Sequence, residues 1–233
     1  MTVLLTRPLA DSQRIAAELK AHGVVSLIWP LTRIEMVARS FEVLKHVEAL
    51  AFTSSHAVRA FCEHNTERRA KVFFVGNRTA RIARDAGFTD VESADGNFEA
   101  LVALIRNAHP RSVLYLRGER VSADLEAALT SIGIDCESHI VYTARPGDPP
   151  EAAVEAAFCS GEFRAVTIWS RHNADLLRES ILMRKDWNLL DTCLVGISDN
   201  AVTPLGNLGF RRIIVASRPN ATQMVAEIRA AVR

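Results

Sequence analysis

Short apolar runs alternate along the chain with longer segments that carry a single apolar stripe. The runs are rich in β-branched residues, which is typical of buried strands, and the stripes repeat at three- and four-residue spacing, which is typical of helices. Strands are expected at 3–6, 24–29, 50–53, 72–75, 113–116, 139–142, 166–169, 194–197 and 213–216. This regular succession of strand and helix predicts an α/β fold built on parallel sheets.

Polar capping residues and glycines predict where the helices begin and end. We expect Asp11 or Ser12 to cap the first helix and Gly23 to end it. A short helix is expected at 41–47. Further expected N-caps are Ser54, Ser55, Asn97, Ser198 and Asn220, and further glycine ends are Gly87, Gly133 and, for the helix that follows Ser198, Gly209.

The stretch 139–150 changes character halfway along. It opens as an apolar, β-branched strand and ends in three prolines and a glycine, which neither a helix nor a central strand tolerates. We therefore expect the chain to leave one globular unit here as a stiff, extended connector, with a second crossing near 31–40. Tyr142, one of only two tyrosines in the chain, stands where this strand ends.

Internal repeats set the expected domain organisation. Residues 3–23 resemble 113–133, and residues 50–105 resemble 165–228, so the repeats occur in permuted order. The matched pairs are Arg7 with Arg117, Leu19 with Leu129, Gly23 with Gly133, Ser54 with Ser170, Gly76 with Gly196, Gly87 with Gly209 and Asn97 with Asn220. The permutation predicts two α/β domains, the second inserted in the first, with these bounds: 1–33 plus 147–233, and 34–146, with linkers near 31–40 and 143–150.

Bulk composition is that of an ordinary globular protein. The 233 residues are 48% hydrophobic and carry a net charge of +1, so no basic excess points to nucleic acid. No apolar run approaches the about 18 residues of a membrane span, and the first eight residues lack the pattern of a signal peptide. The four cysteines are scattered without metal-binding spacing, and we interpret them as reduced, mostly buried thiols. We therefore expect a cytoplasmic protein that binds neither nucleic acid, nor membrane, nor metal.

The residues that follow the predicted strands favour an anionic ligand. In parallel α/β sheets, ligands bind beyond the carboxyl ends of the strands. Several of these strand exits are helix N-termini whose free N–H groups suit anions, and several carry arginine, which binds carboxylate or phosphate. The expected binding residues are Arg7, Thr53, Ser54, Ser55, Gly76, Thr79, Arg117, Gly118, Ser170, Arg171, Gly196 and Ser198. Two such sheets facing each other would form a cleft for a small polyanion.

The common catalytic motifs are missing from the sequence. It has no P-loop, no GxGxxG after the first strand, no HExxH and no GxSxG. The histidines are dispersed, and only His56 and His172, which follow strand-exit serines, invite a functional interpretation. This pattern predicts a site that binds and shapes its ligand, with little covalent chemistry.

A series of segments, in order and over essentially the whole chain, resembles the uroporphyrinogen-III synthase family. The segments are LLTRP (4–8), FTSSHAVRAF (52–61), VGNRTARIARDAGF (75–88), LYLRGER (114–120), VYTARP (141–146), VGISDNAV (195–202) and NATQMVAEI (220–228). The resemblance implies two flavodoxin-like domains joined by a two-stranded linker, no cofactor, and hydroxymethylbilane, a linear tetrapyrrole polycarboxylate, as substrate. The chain departs from the family at Asp199 and Asn200, where the second repeat lacks the threonine that Thr79 supplies in the first.

The resemblance also implies the chemistry, which is cyclisation to uroporphyrinogen III by a lyase of tetrapyrrole and haem biosynthesis. The hydroxyl of the ring A hydroxymethyl group leaves as water, and ring D attacks the remaining carbon through its own substituted carbon. The resulting spiro intermediate fragments and recloses with ring D inverted. Tyr142 matches the family's tyrosine that donates a proton to the leaving hydroxyl, and a tyrosine of ordinary pKa, about 10, is protonated at neutral pH. Alternatively, Tyr142 packs at the domain hinge with its hydroxyl bonded to backbone.

Two other functions share part of this pattern. A two-domain protein that binds a small polyanion without catalysis would share the hinge and the cleft. A nucleotide-sugar transferase would need an acidic or histidine constellation that the sequence lacks. For the synthase we expect a monomer that binds one small-molecule substrate, with transient contact to the preceding pathway enzyme left open.

Overall fold

The computed structural model describes residues 2–37, 46–121 and 123–232. The strands are β1 (Thr2–Leu5), β2 (Val25–Ile28), β3 (Thr32–Met36), β4 (Ala49–Phe52), β5 (Lys71–Phe74), β6 (Val91–Ser93), β7 (Ser112–Gly118), β8 (Asp135–Pro146), β9 (Phe163–Ile168), β10 (Cys193–Gly196) and β11 (Arg212–Val215). The helices are α1 (Leu9–Lys20), α2 (Ser55–His64), α3 (Asn77–Asp85), α4 (Phe98–Ala108), α5 (Leu125–Thr130), α6 (Ala152–Cys159), α7 (Arg171–Met183), α8 (Asp199–Val202) and α9 (Ala221–Ala231). The expected helix at 41–47 lies mostly outside the described residues.

Two sheets carry these elements. The first has the order β11-β10-β9-β1-β2, and all of its neighbours are parallel. The second has the order β3-β8-β7-β4-β5-β6, with parallel pairing from β8 to β6. The internal repeats match β11, β10, β9, β1 and β2 of the first sheet with β6, β5, β4, β7 and β8 of the second. Matched strands therefore stand in the same order in the two sheets. The predicted class, a parallel α/β fold, is confirmed.

Contacts divide the chain into two compact units. We call Met1–Arg33 with Arg145–Arg233 unit A, and Ile34–Ala144 unit B. The chain passes between them within β3 and within β8. The predicted domains, 1–33 plus 147–233 and 34–146, stay a prediction, because a folding domain is defined by its own stability rather than by contacts.

Helices cover both faces of the sheet in unit A. Side chains alternate across a strand, so Leu4 packs with α6 and α7 while its neighbours Val3 and Leu5 pack with α1 and α9. Every residue of β1 and β10 is buried. Continuous burial is typical of central parallel strands covered on both faces, and it explains their mostly apolar sequence.

Unit B repeats this layering with a more aromatic core. Phe52 packs against Phe61, Phe74 and Phe88, with ring centroids 5.6–6.4 Å apart, on the face that α2 and α3 cover. Phe73 packs with α4 and α5 on the opposite face. The sheet is therefore held from both sides, and its strand ends are fixed in position.

Most predicted helix ends are confirmed. The side-chain oxygens of four predicted caps accept hydrogen bonds from backbone N–H groups two or three residues ahead, at Ser54, Asn97, Ser198 and Asn220. Ser170, the repeat partner of Ser54, caps α7 in the same way. The expected glycine ends of α1, α3 and α5 have positive φ, at Gly23, Gly87 and Gly133, and Gly209 has positive φ without ending a helix. These positions fall at matching points of the two repeats, so the repeats share their local backbone conformations as well as their strand order.

Two predicted helix ends are wrong. Helix α1 begins at Leu9 and has Pro8 as its N-cap, so neither Asp11 nor Ser12 caps it. The fixed φ of proline suits a helix start, which brings the first turn forward. Helix α8 ends at Val202 and gives way to a 3₁₀ turn, because Pro204 cannot continue α-helical hydrogen bonding.

Two expectations from composition concern the burial of the cysteines and the length of the apolar segments. All four cysteines are free: Cys136 and Cys193 are buried, Cys62 is half-buried, and Cys159 is exposed. Cys159 is thus the exception to the expected burial. Among the described residues, no helix combines the length and the apolar composition that crossing a membrane requires.

Candidate functional site

Both tyrosines of the chain line one pocket in unit B. This cavity of about 250 Å³ lies at the carboxyl ends of the neighbouring strands β4 and β7 and beside Tyr142. We call it the tyrosine pocket. Its polar lining residues are Thr53, Ser54, Tyr115, Arg120 and Tyr142, and the remaining lining residues are Val75, Phe98, Gly118, Val121 and Ala123. Parallel strands end at the same edge of a sheet, which is why residues distant in sequence meet here. Tyr142 lies within β8, which continues to Pro146, so the prediction that this strand ends at Tyr142 is wrong.

The ring of Tyr142 packs directly against Gly118. It lies opposite Gly118 in the ladder between β8 and β7. A Cβ placed on Gly118 would stand 2.6 Å from Tyr142 Cζ, closer than any real contact, so the phenol needs a glycine beneath it. The ring of His56 lies on another side, with centroids 5.6 Å apart. Gly118 and His56 together fix the position of the Tyr142 phenol in the wall of the pocket.

The turn from β4 into α2 supplies two hydroxyls. Ser54 Oγ accepts a hydrogen bond from the His56 N–H at 3.1 Å, which caps α2. Thr53 Oγ1 and Tyr115 Oη are 2.9 Å apart and hydrogen-bonded. Tyr115 is only 2% exposed, whereas Thr53 is exposed. Hydroxyl groups thus line the pocket in a fixed arrangement.

Both phenols are held in their neutral form. Burial raises the pKa of Tyr142, and the hydroxyl of Ser54 beside it lowers that pKa by a smaller amount. Burial also raises the pKa of Tyr115; its hydrogen bond with Thr53 lowers that pKa in part, and nearby Tyr142 raises it further. Each tyrosine can therefore donate a proton or a hydrogen bond at neutral pH.

The other predicted site residues of unit B lie apart from this pocket. Within the described part of the chain, its lining does not include Ser55, Gly76, Thr79 or Arg117. The first three stand at the N-termini of α2 and α3. Arg117 donates from Nε to Ser138 Oγ at 3.3 Å and from Nη1 to the Gly118 carbonyl at 3.0 Å. Its guanidinium is therefore engaged by the protein itself.

In unit A, Arg7 is occupied by a neighbouring carboxylate. Its Nη2 and Nε lie 2.6 Å and 3.2 Å from Asp11 Oδ2, and the Asp11 side chain is only 4% exposed. The guanidinium also lies 4.8 Å from the centre of the Trp169 ring. Arg7 therefore neutralises a buried acid at the strand exit.

The remaining predicted residues of unit A lie at the carboxyl ends of adjacent strands. Ser170 and Ser198 cap α7 and α8, and Gly196 is the last residue of β10. Arg171 has a side chain that is 51% exposed, with Asn200 Oδ1 at 3.4 Å and Asp175 Oδ1 at 3.7 Å. Of the three predicted arginines, Arg171 is thus the one best able to reach an external anion.

Sequence reasoning missed Tyr115 as a site residue. It lies inside β7, and an aromatic residue within an apolar strand normally belongs to the core. The available signal was its hydroxyl, because a buried tyrosine needs a hydrogen-bond partner. Across the described ranges, no group of three or more His, Cys, Asp or Glu side chains is placed to hold a metal ion.

The fold is similar to solved uroporphyrinogen-III synthases. The structure of the synthetase from Helicobacter pylori 26695 matches with a TM-score of 0.66 at 17% identity, over 100% of this chain and 99% of that one. A mutant synthase from the extreme thermophile Thermus thermophilus matches with a TM-score of 0.55 at 19% identity, over 100% of this chain and 98% of that one. At such identities the likeness shows the fold alone. A search of curated proteins gave no match.

A family model settles the relationship. The model described as "Uroporphyrinogen-III synthase HemD" matches residues 13–226, which is most of the chain. The match covers parts of both units and includes the described lining residues of the tyrosine pocket. The chain therefore belongs to the uroporphyrinogen-III synthase family, whose members are cyclising lyases of haem biosynthesis.

Proposed function

We propose that the tyrosine pocket carries out the family's reaction in this chain, the cyclisation of hydroxymethylbilane to uroporphyrinogen III with loss of water. The observation that supports this most directly is the phenol of Tyr142. It lines a cavity at the carboxyl ends of parallel strands, and burial keeps it protonated. A protonated group at such a site suits a reaction that starts with departure of a hydroxyl.

The first step is proton transfer from Tyr142 to the leaving hydroxyl of ring A. The C–O bond breaks, water departs, and the ring becomes an azafulvene cation while Tyr142 becomes a phenolate. Ser54 Oγ lies beside the phenol and stabilises that phenolate through its own hydroxyl hydrogen, since its oxygen already accepts from the His56 N–H. General acid catalysis of this kind contributes about 10²–10⁴-fold to rate.

The following steps make and break carbon–carbon bonds within the substrate. Ring D attacks through its substituted carbon, and the spiro intermediate fragments to a new cation that recloses through the other carbon. Loss of a proton from that carbon restores an aromatic pyrrole, and the proton returns to the Tyr142 phenolate. Spontaneous closure gives the uninverted type I isomer, so the protein contributes selectivity by holding ring D in the productive position.

Binding is shared among many hydrogen-bond donors. A cavity of about 250 Å³ is smaller than the roughly 300–1,000 Å³ of a whole small-molecule site, so the tyrosine pocket accommodates part of the tetrapyrrole. Thr53 donates to a substrate carboxylate there, and Ser54 contributes by supporting the Tyr142 phenol. Gly118 also lines the pocket. The proposed binders elsewhere in unit B are Ser55, Gly76, Thr79 and Arg117, and those of unit A are Arg7, Ser170, Arg171, Gly196 and Ser198.

The setting of the reaction is also proposed. We infer a cytoplasmic monomer with transient contact to the enzyme that supplies its unstable substrate. Light scattering on the purified chain at micromolar concentration measures the mass, and a mass near twice 25.7 kDa would contradict the monomer.

The function is tested by incubating the purified chain with freshly generated hydroxymethylbilane and separating the product isomers. The expected product is the type III isomer, in excess over the type I isomer that an enzyme-free control forms. A chain that binds the product but yields only type I at the control rate would instead be a polyanion-binding protein.

A further inference from the structure

We propose that Tyr115 is a positioning residue that fixes the hydroxyl of Thr53 as a hydrogen-bond donor to a substrate carboxylate. The proposal rests on the proposed function and assigns a role to the second tyrosine of the pocket. Tyr115 sits in the middle of β7, opposite Ala51 of β4, and its hydroxyl reaches Thr53 just beyond the end of β4.

The direction of the hydrogen bond follows from burial. Among the described residues, Thr53 is the hydrogen-bond partner that the Tyr115 hydroxyl finds, and Tyr115 is 2% exposed. If Thr53 donated, the phenolic hydrogen would be left almost without an acceptor, which is costly for a buried polar group. A phenol is also a more acidic donor than an aliphatic hydroxyl. The neutral Tyr115 therefore donates to Thr53 Oγ1. Only an ionised Tyr115 would accept from Thr53 instead, and that reversed bond is what lowers the Tyr115 pKa in part.

This direction decides what Thr53 presents to the pocket. Its oxygen is taken up as the acceptor from Tyr115, so its own hydrogen is available to another partner. Thr53 is exposed and lines the pocket. The pair thus acts as one unit, in which a buried phenol orients an exposed donor.

The chemistry of the pocket selects an anionic partner for that donor. Its described lining residues include no aspartate and no glutamate, and its charged member is Arg120. Both tyrosines are kept neutral by burial, which raises the pKa of each, so each acts as a donor. The two hydroxyls that follow β4 then have different roles. Ser54 stabilises the Tyr142 phenol that transfers a proton, and Thr53 donates a hydrogen bond to a substrate carboxylate.

The test compares Tyr115→Phe, Thr53→Val and the double variant with the parent chain. Each single change removes one hydroxyl and keeps the shape of the side chain. We expect each to raise KM about 3–10-fold, the effect of one lost hydrogen bond, with kcat within about twofold of the parent. The double variant should resemble the single variants, because the pair acts as a unit. Thr53→Ser keeps the hydroxyl and should retain the parent's KM.

Three results would overturn the proposal. They are a KM in Tyr115→Phe equal to that of the parent, a loss confined to kcat, and single effects that multiply in the double variant. Circular dichroism melting of every variant excludes unfolding as the cause. The same variants are titrated with uroporphyrin III, so that Kd ratios judge the role of Tyr115 separately from turnover. A parent chain without type III product would contradict the proposed function, whereas equal Kd values would contradict only the present proposal.

Discussion

The phenol of Tyr142 occupies the space that a side chain at position 118 would fill, since a Cβ on Gly118 would lie 2.6 Å from Tyr142 Cζ. Gly118→Ala should therefore push the ring away from the pocket, and we expect kcat to fall about 10²-fold because small misplacements of reacting groups are costly. Gly206→Ala is the matched control, since its Cβ would meet only the Thr203 carbonyl at an ordinary 3.6 Å. A kcat in Gly118→Ala equal to that of the parent would contradict the claim that the Tyr142 ring needs a glycine at position 118.

Removal of one hydroxyl tests the acid role of Tyr142. Tyr142→Phe keeps the ring and its packing, so kcat should fall about 10²–10⁴-fold while KM barely moves. The measurement is single-turnover formation of the type III isomer, corrected for spontaneous type I. Tyr115→Phe is the same chemical change at the other phenol and should act on KM instead. Full activity with an unchanged isomer ratio in Tyr142→Phe would rule out the acid role.

The exposed guanidinium of Arg171 should contribute to substrate binding. Arg171→Ala is expected to raise KM by a modest factor of about 2–10, because many donors share the carboxylates, and to leave kcat near the parent value. Arg178 lies two turns further along α7 and is exposed, so Arg178→Ala controls for the loss of charge. Identical KM values for the two variants would show that Arg171 binds no substrate carboxylate.

Arg7 should matter more for stability than for binding. Arg7→Ala leaves the buried carboxylate of Asp11 without the guanidinium, and we expect the free energy of unfolding to fall by about 1–3 kcal/mol. Urea denaturation measures this loss. In Arg7→Ala/Asp11→Asn, which also removes the negative charge at position 11, part of the loss should be recovered. A urea midpoint in Arg7→Ala equal to that of the parent would show that Arg7 does not stabilise the fold through Asp11.

The two tyrosines should make the stability of the chain depend on pH in the alkaline range. Each has a folded-state pKa above the ordinary value of about 10, so each contributes stability that is present below about pH 10 and lost as pH rises through the folded pKa. Unfolding free energies between about pH 8 and 11 should fall less steeply in Tyr115→Phe and Tyr142→Phe than in the parent. Equal slopes would show that neither phenol is perturbed. If Tyr142 is the acid, kcat should hold to about pH 10 and decline only above it.

Local patterning was sufficient to predict much of the fold. Apolar runs and capping residues report burial and backbone geometry within a few residues, and these are the features that Ser54, Asn97 and Asn220 confirm. The match between 3–23 and 113–133 was also visible in the sequence, and the corresponding strands β1 and β7 occupy equivalent places in their sheets. The early start of α1 at Leu9 was missed because proline competes with nearby polar caps for the same role.

The sequence by itself determined the parallel α/β class and predicted the strand exits, because each depends on residue type and spacing. Its resemblance to the family added Tyr142 as a candidate acid. Only the tertiary structure decided which polar atoms meet. Thr53 and Tyr115 are 62 positions apart and form a pair because β4 and β7 are neighbours in the sheet. Arg117, in contrast, turns to acceptors of its own unit. Periodicity encodes which face of an element is buried, whereas the partner of a hydroxyl or a guanidinium depends on strand order, and strand order is set by the packing of the whole sheet.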